Sequence, residues 1–120
     1  MMVDTEILNQ NGIDYNAGVE RFLGDAELYE RVLRVYAADD IVARARAAFD
    51  KRDCAALLAA VHEAKGSSGN MNLNSVYADA CALVNLLRAG GFSDAELTER
   101  FERFEQSYSG SQQTILSALK

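Results

Sequence analysis

Apolar residues recur at three- and four-residue intervals along most of this chain, and no stretch alternates at period two, so the pattern predicts helices and no strands. Asp14 stands before a short helix that runs through Phe22 and Leu23 and is ended by Gly24. Asp25 opens the next, with Leu28, Val32, Val35 and Tyr36 as its expected core face. The periodicity continues through Ile41, Val42, Ala45 and Phe49, as one long helix or as two with a bend near Asp39-Asp40. Asp50-Lys51-Arg52-Asp53 is a polar turn whose last residue caps a further helix. That helix carries Cys54, Leu57, Leu58, Val61, Ala64, Ser68 and Met71 on its apolar face.

Asn72-Leu73-Asn74 makes the following corner, with Asn74 as cap and Val76, Ala80, Leu83 and Leu87 as the next core face, stopped by Gly90-Gly91. Ser93 and Glu96 form a capping box. The last helix buries Leu97, Phe101, Phe104 and Tyr108 and extends toward Leu119, with a weak stretch at Ser107 to Ser111 where fraying or a kink is expected. Long amphipathic helices joined by short corners imply an all-α fold, an antiparallel up-down four-helix bundle with short additional N-terminal helices. The 120 residues suffice for a single domain, 1–120, with 1–11 as a flexible lead.

Composition adds little to the fold and narrows the function. Proline is absent, which favours unbroken helices. A net charge of −6, with no basic cluster larger than Lys51-Arg52, argues against nucleic acid or an anionic membrane as partner. The N-terminal residues lack the basic start and apolar stretch of a secretory signal, and no segment reaches membrane-spanning length, so a cytoplasmic location is expected. Cys54 and Cys81 fall among apolar neighbours and are expected to be small buried hydrophobes, a disulfide between neighbouring helices being the alternative. With one histidine and no CxxC, no metal site is expected.

That single histidine, His62, opens the run His62-Glu63-Ala64-Lys65-Gly66-Ser67-Ser68-Gly69-Asn70. It lies about 100° round the helix from Val61 and so turns toward solvent. The residues one and two turns away, Ala55, Ala59, Gly66 and Gly69, form a strip of the smallest side chains, and Lys65 flanks the ring. The plain alternative is an idle histidine on an alanine-rich helix. Against it, each glycine costs about 1 kcal/mol in a helix interior, a cost that close approach of another backbone would explain. An exposed imidazole can attack phosphorus, and Lys65 can offset the charge of a phosphoryl group on the ring. No phosphate-binding loop, nucleotide signature or acidic cluster for magnesium is present, so donor and acceptor must come from another protein.

The motif His62-x-x-Lys65-Gly66-Ser67-Ser68-Gly69-Asn70-Met71 resembles the signature of histidine-containing phosphotransfer (HPt) domains, which relay phosphoryl groups between aspartates of response-regulator receiver domains. Upstream, Gly18-Val19-Glu20-Arg21-Phe22-Leu23-Gly24-Asp25-Ala26-Glu27-Leu28-Tyr29 is similar to the family's opening segment, and the resemblance spans residues 12–105. It implies His62 as phosphoacceptor, Lys65 as the basic residue beside the phosphohistidine and Gly66 as the clearance residue. Ser67 and Asn70 would border the receiver, and Ile13 and Ala17 would extend the docking surface over Ala55, Ala59 and Gly69. Two positions depart from the family pattern: Asn72, where glycine is usual, and Val84, where many members carry Gln or Glu.

The implied function is a phosphorelay intermediate without kinase activity of its own. It would take a phosphoryl group onto His62 from one receiver and pass it to another, with a hybrid histidine kinase upstream. No cofactor is expected in the chain itself; magnesium would sit in the receiver, and the chain is expected to be monomeric. The alternatives are the phosphoacceptor module of a chemotaxis-type or hybrid histidine kinase, and a module that binds a receiver without phosphotransfer. A dimerisation-type kinase site is disfavoured, because Glu63 matches its pattern but the arginine and proline that should follow are missing.

Overall fold

Aspartates start most of the helices. The computed structural model describes residues 3–119. Seven helices follow one another, with no strand among those residues: α1 (Thr5–Gln10), α2 (Tyr15–Arg21), α3 (Ala26–Ala37), α4 (Ile41–Asp50), α5 (Cys54–Asn70), α6 (Asn74–Ala89) and α7 (Asp94–Ala118). Asp4, Asp14, Asp25 and Asp53 each accept a backbone N–H three residues on, at 3.2, 3.0, 3.0 and 3.1 Å. Each satisfies a donor that a helix start leaves open and sets a negative charge at the positive end of the macrodipole. The capping box before α7 closes in both directions, Glu96 N–H to Ser93 Oγ and Ser93 N–H to Glu96 Oε1, each at 3.1 Å.

Helices α4, α5, α6 and α7 pack in sequence, each on the next, and α7 returns to α4. Helices α1 and α3 also lie against α7, while α2 touches α1 and α3. The body measures 45 × 23 × 21 Å, and its buried apolar side chains form one cluster. Phe49 stacks on Phe101 with centroids 4.3 Å apart, and Tyr36 meets Tyr108 at 4.7 Å. The buried phenols are partnered: Tyr108 donates to Asp39 Oδ2 (2.6 Å), and Tyr36 shares a 2.6 Å hydrogen bond with Ser111 Oγ. Burying those hydroxyls without partners would be costly.

Several expectations are corrected. The lead expected to be flexible is, from Asp4 onward, a docked helix: α1 buries Leu8, and the Asp4 N–H donates to the carbonyl of Ala118 at 2.8 Å. Met1 and Met2 lie outside the described residues. The buried face of α3 is Tyr29, Leu33, Tyr36 and Ala37, one residue round from the stripe expected, so that Val35 is 69% exposed and Leu28 also faces solvent. Tyr29 wins the interior because Gly18 of α2 leaves it the space of a side chain and the Met71 carbonyl accepts its hydroxyl at 3.2 Å. Of the two readings left open for the stretch from Asp25 to Phe49, the two-helix one holds: α3 and α4 are separate, and Asp39 accepts the Ile41 N–H at 3.1 Å in the break between them.

At the α5–α6 corner Asn72 takes the left-handed conformation (φ 61°), which asparagine tolerates better than most residues. The cap position beyond it belongs to Leu73, not Asn74, because Leu73 is drawn into the core. On α6 the fourth core position is Val84, with Leu87 only partly covered. Cys54 is exposed in the first turn of α5 and Cys81 is partly exposed; both are free thiols, so neither the buried reading nor the disulfide applies. Helix α7 runs unbroken through Gly110, because Tyr36 Oη on Ser111 and Gln112 Nε2 on the Tyr36 carbonyl (2.9 Å) hold the weak stretch to α3.

A methyl group at position 18 would overlap the Tyr29 ring, which is packed on every side. Gly18→Ala is therefore expected to lower stability by about 1–3 kcal/mol; urea unfolding checks this, and an unchanged midpoint would contradict the packing. The buried phenols give a second expectation. Burial pushes Tyr29 up to about 12, and Tyr36 and Tyr108 also resist ionisation, chiefly through burial. Unfolded tyrosines ionise near pH ~10, so the unfolded state loses its protons first and stability falls as pH rises through and above that value. Thermal melts between neutral and alkaline pH should show that decline, and a flat profile across the window would refute it.

Candidate functional site

Helix α5 has two unlike sides. Leu57, Ala60, Val61, Ala64 and Ser68 are buried, and Ser68 Oγ donates back to the Ala64 carbonyl at 2.7 Å so that its hydroxyl is satisfied. On the opposite side Ala55, Ala59, His62 and Gly66 are exposed, at the spacing that aligns residues along one helix face. The imidazole thus stands above a row of methyl groups and bare backbone.

His62 lines an open groove of about 490 Å³ together with Lys65, Gly66, Gly69 and Asn70 of α5, Arg21 of α2, and Asn74 and Tyr77 of α6. Lys65 and Arg21 are its charged lining, and no carboxylate is among the lining residues. The nearest acid in sequence, Glu63, is turned onto α4, where both its oxygens accept from Arg44 at 3.1 Å, and Arg44 Nε also donates to Asp40 at 3.0 Å. These hydrogen bonds, Glu63 first, raise the Arg44 pKa above its ordinary value. The clamp leaves the groove positive on a chain whose net charge is −6.

The two glycines separate. A Cβ on Gly66 would meet nothing within 4 Å, so no packing inside the molecule requires a glycine there. A Cβ on Gly69 would come 3.1 Å from the Tyr77 ring, so that glycine seats an aromatic side chain of the neighbouring helix. The space over Gly66 is available to another molecule, whereas the space over Gly69 is already taken.

The structure brings His62, Lys65, Gly66, Gly69 and Asn70 together and sets Ala55 and Ala59 on the same exposed face, one and two turns toward the start of α5. Three expected docking residues are not among the groove's lining. Ile13 is 4% exposed and packs in the core, so it offers no docking surface. Ser67 turns inward, its hydroxyl donating to the Ala64 carbonyl (3.2 Å) and meeting Tyr108 Oη (3.4 Å). Ala17 is partly buried on α2, one turn before Arg21, and is not among the groove residues. Val84 is in the core and contributes nothing to the groove; α6 supplies Asn74 and Tyr77 instead.

Arg21, Asn74 and Tyr77 escape a reading of the sequence alone. Tyr77 offered one signal, a large aromatic beside rather than on the core face of α6. Arg21 offered none, since nothing local joins it to His62. Among the described residues no helix is long and apolar enough to cross a membrane, and no three His, Cys, Asp or Glu side chains cluster to hold a metal ion. No protein-family model, curated protein or solved structure matches the chain.

If Gly66 answers to an outside partner and Gly69 to Tyr77, stability should tell them apart. Gly66→Ala is expected to stabilise the protein by about 0.5–1 kcal/mol through helix propensity. Gly69→Ala should gain less or lose, because the new methyl presses on Tyr77. Paired denaturation curves check this, and equal gains at both positions would mean that Tyr77 does not constrain Gly69.

Proposed function

We propose that this chain is a phosphorelay intermediate of the HPt type, carrying a phosphoryl group on His62 between receiver-domain aspartates. The observation that carries the reading is the exposed imidazole of His62 in a groove free of carboxylates, with Lys65 one turn on and unfilled space over Gly66. A receiver would lie over the Ala55, Ala59 and Gly66 face with its phosphoaspartate above the ring. A ring nitrogen then forms an N–P bond as the acyl O–P bond breaks, the aspartate leaves as carboxylate, and the ring's other proton is free to pass to water. Lys65 pairs with the phosphoryl oxygens as a point charge. The reverse exchange with a second receiver completes the relay. The chain needs no metal in this scheme, because magnesium would be bound by the receiver's own acidic residues.

The packing order supports an up-down four-helix bundle made of α4, α5, α6 and α7, with α3 extending it along α7. Short corners between successive partners suit antiparallel neighbours. A mid-helix position such as that of His62 holds a side chain in register with Lys65 more precisely than a loop would. The clamp of Arg44 on Glu63 suits the same purpose, since a free carboxylate beside the ring would repel the incoming phosphoryl group.

His62→Gln should abolish labelling by a phosphorylated receiver domain while leaving the helical circular dichroism intact. The label on the native chain should be labile to acid and stable to alkali. Persistent labelling of the glutamine variant would refute the assignment.

A further inference from the structure

We propose that Arg21 is a second cation for the phosphoryl group on His62, delivered from a different helix than Lys65; the role rests on the phosphoacceptor reading above. Three observations converge on it. Arg21 lines the same groove as the imidazole, in the last turn of α2. It makes no ion pair among the described residues, a state it shares with Arg31, Arg34, Arg88 and Arg100, but of these five Arg21 alone lines the groove. The groove has no acidic lining residue to which the guanidinium could turn, although acids outnumber bases in the chain, 18 to 12.

Its placement is built into the fold. Gly18 lies three residues before Arg21, and the Tyr29 ring occupies the space of its missing side chain. Phe22, the next residue, packs on the same ring with centroids 5.4 Å apart. Tyr29 in turn donates to the carbonyl of Met71, the cap residue at the end of α5. The end of α2 is thus tied through one aromatic side chain to the helix that bears His62, and Arg21 lies within the tied stretch, next to Phe22.

The two cations are not equivalent. Lys65 is a compact point charge one turn from the ring on the same helix. Arg21, on a different helix, brings a planar fork that can hold two phosphoryl oxygens at once. Together they would hold the dianion between helices and shift its second protonation downward, because nearby positive charge favours the more highly charged form. The competing role is a purely structural one, an arginine favourably placed at a helix C-terminus.

The test uses the 120-residue chain and phosphoramidate as probe; a ring nitrogen of His62 attacks phosphorus, the P–N bond of the reagent breaks, and ammonia leaves. Phosphorus NMR then follows the protonation of the phosphohistidine against pH in the native chain and in Arg21→Ala, Arg21→Lys, Arg100→Ala and His62→Gln, with circular dichroism to verify folding. Loss of Arg21 should raise the titration midpoint by about 0.3 pH unit or more at low salt. Arg21→Lys should recover most of that shift, Arg100→Ala should leave the native value, and high salt should narrow the difference. A folded Arg21→Ala chain that labels and titrates like the native protein overturns the role of Arg21 and leaves the phosphoacceptor standing. Absence of phosphohistidine in the native chain, or equal labelling of His62→Gln, overturns both.

Discussion

Helix α7 carries an aromatic stripe that must be hidden from water, and most of the fold is arranged to hide it. Phe101, Phe104 and Tyr108 are fully buried, and they recur where one face of the helix repeats. Phe49 of α4 lies flat on Phe101, and Tyr36 of α3 lies against Tyr108, so both helices are anchored on α7 by aromatic contact. The guanidinium of Arg46 stands over the Phe101 ring at 4.9 Å, and that of Arg52 over Phe49 at 4.1 Å, covering the ends of the stack with cations. Where the stripe becomes polar, at Tyr108 and Ser111, the hydroxyls find Asp39 and Tyr36, so burial continues without unpaired groups. Apolar contact and hydrogen bonding thus select the same register between α3 and α7.

That arrangement leaves α5 asymmetric. The helix packs between α4 and α6, its interior side made of Leu57, Val61 and Ala64, and none of the described residues covers the outer row of Ala55, Ala59, His62 and Gly66. The neighbours do shape the outer side at its edges. Helix α4 removes Glu63 from the ring through Arg44, α6 supplies Tyr77 over Gly69, and α2 brings Arg21. The groove's charge is therefore a product of packing rather than of composition, which runs strongly the other way.

The parts of this structure that were legible in the sequence are those with local causes. Asp14, Asp25 and Asp53 cap helices because each needs only a backbone N–H three residues away, and the Ser93-Glu96 box is closed by its own two side chains. The outward turn of His62 follows from the position of Val61 on the same helix. The face of α3 could not be read in this way. Leu28, Val32 and Val35 make as good a helical stripe as Tyr29, Leu33 and Tyr36, and the choice depends on Gly18, Met71 and Ser111, all on other elements. The same holds for the difference between Gly66 and Gly69, which rests on one ring of α6, and for Arg21, whose neighbourhood with His62 exists only after α2 has docked. Ile13 stands with them, buried in the core, and the Ser67 hydroxyl, on a partly exposed residue, is engaged by the Ala64 carbonyl and Tyr108.

The bare patch over Gly66 has a further consequence for how such a protein can change over time. On α5 the residues that keep the chain folded and those that meet the outside are interleaved in sequence yet separate in space, so a substitution on one side leaves the other nearly undisturbed. Drift along the outer row can alter which surface fits there without drawing on a thermodynamic reserve that is small in any domain of this size. Duplicated copies could diverge along this row while sharing one interior, and a new outer surface would require only a few exchanges along a single exposed row.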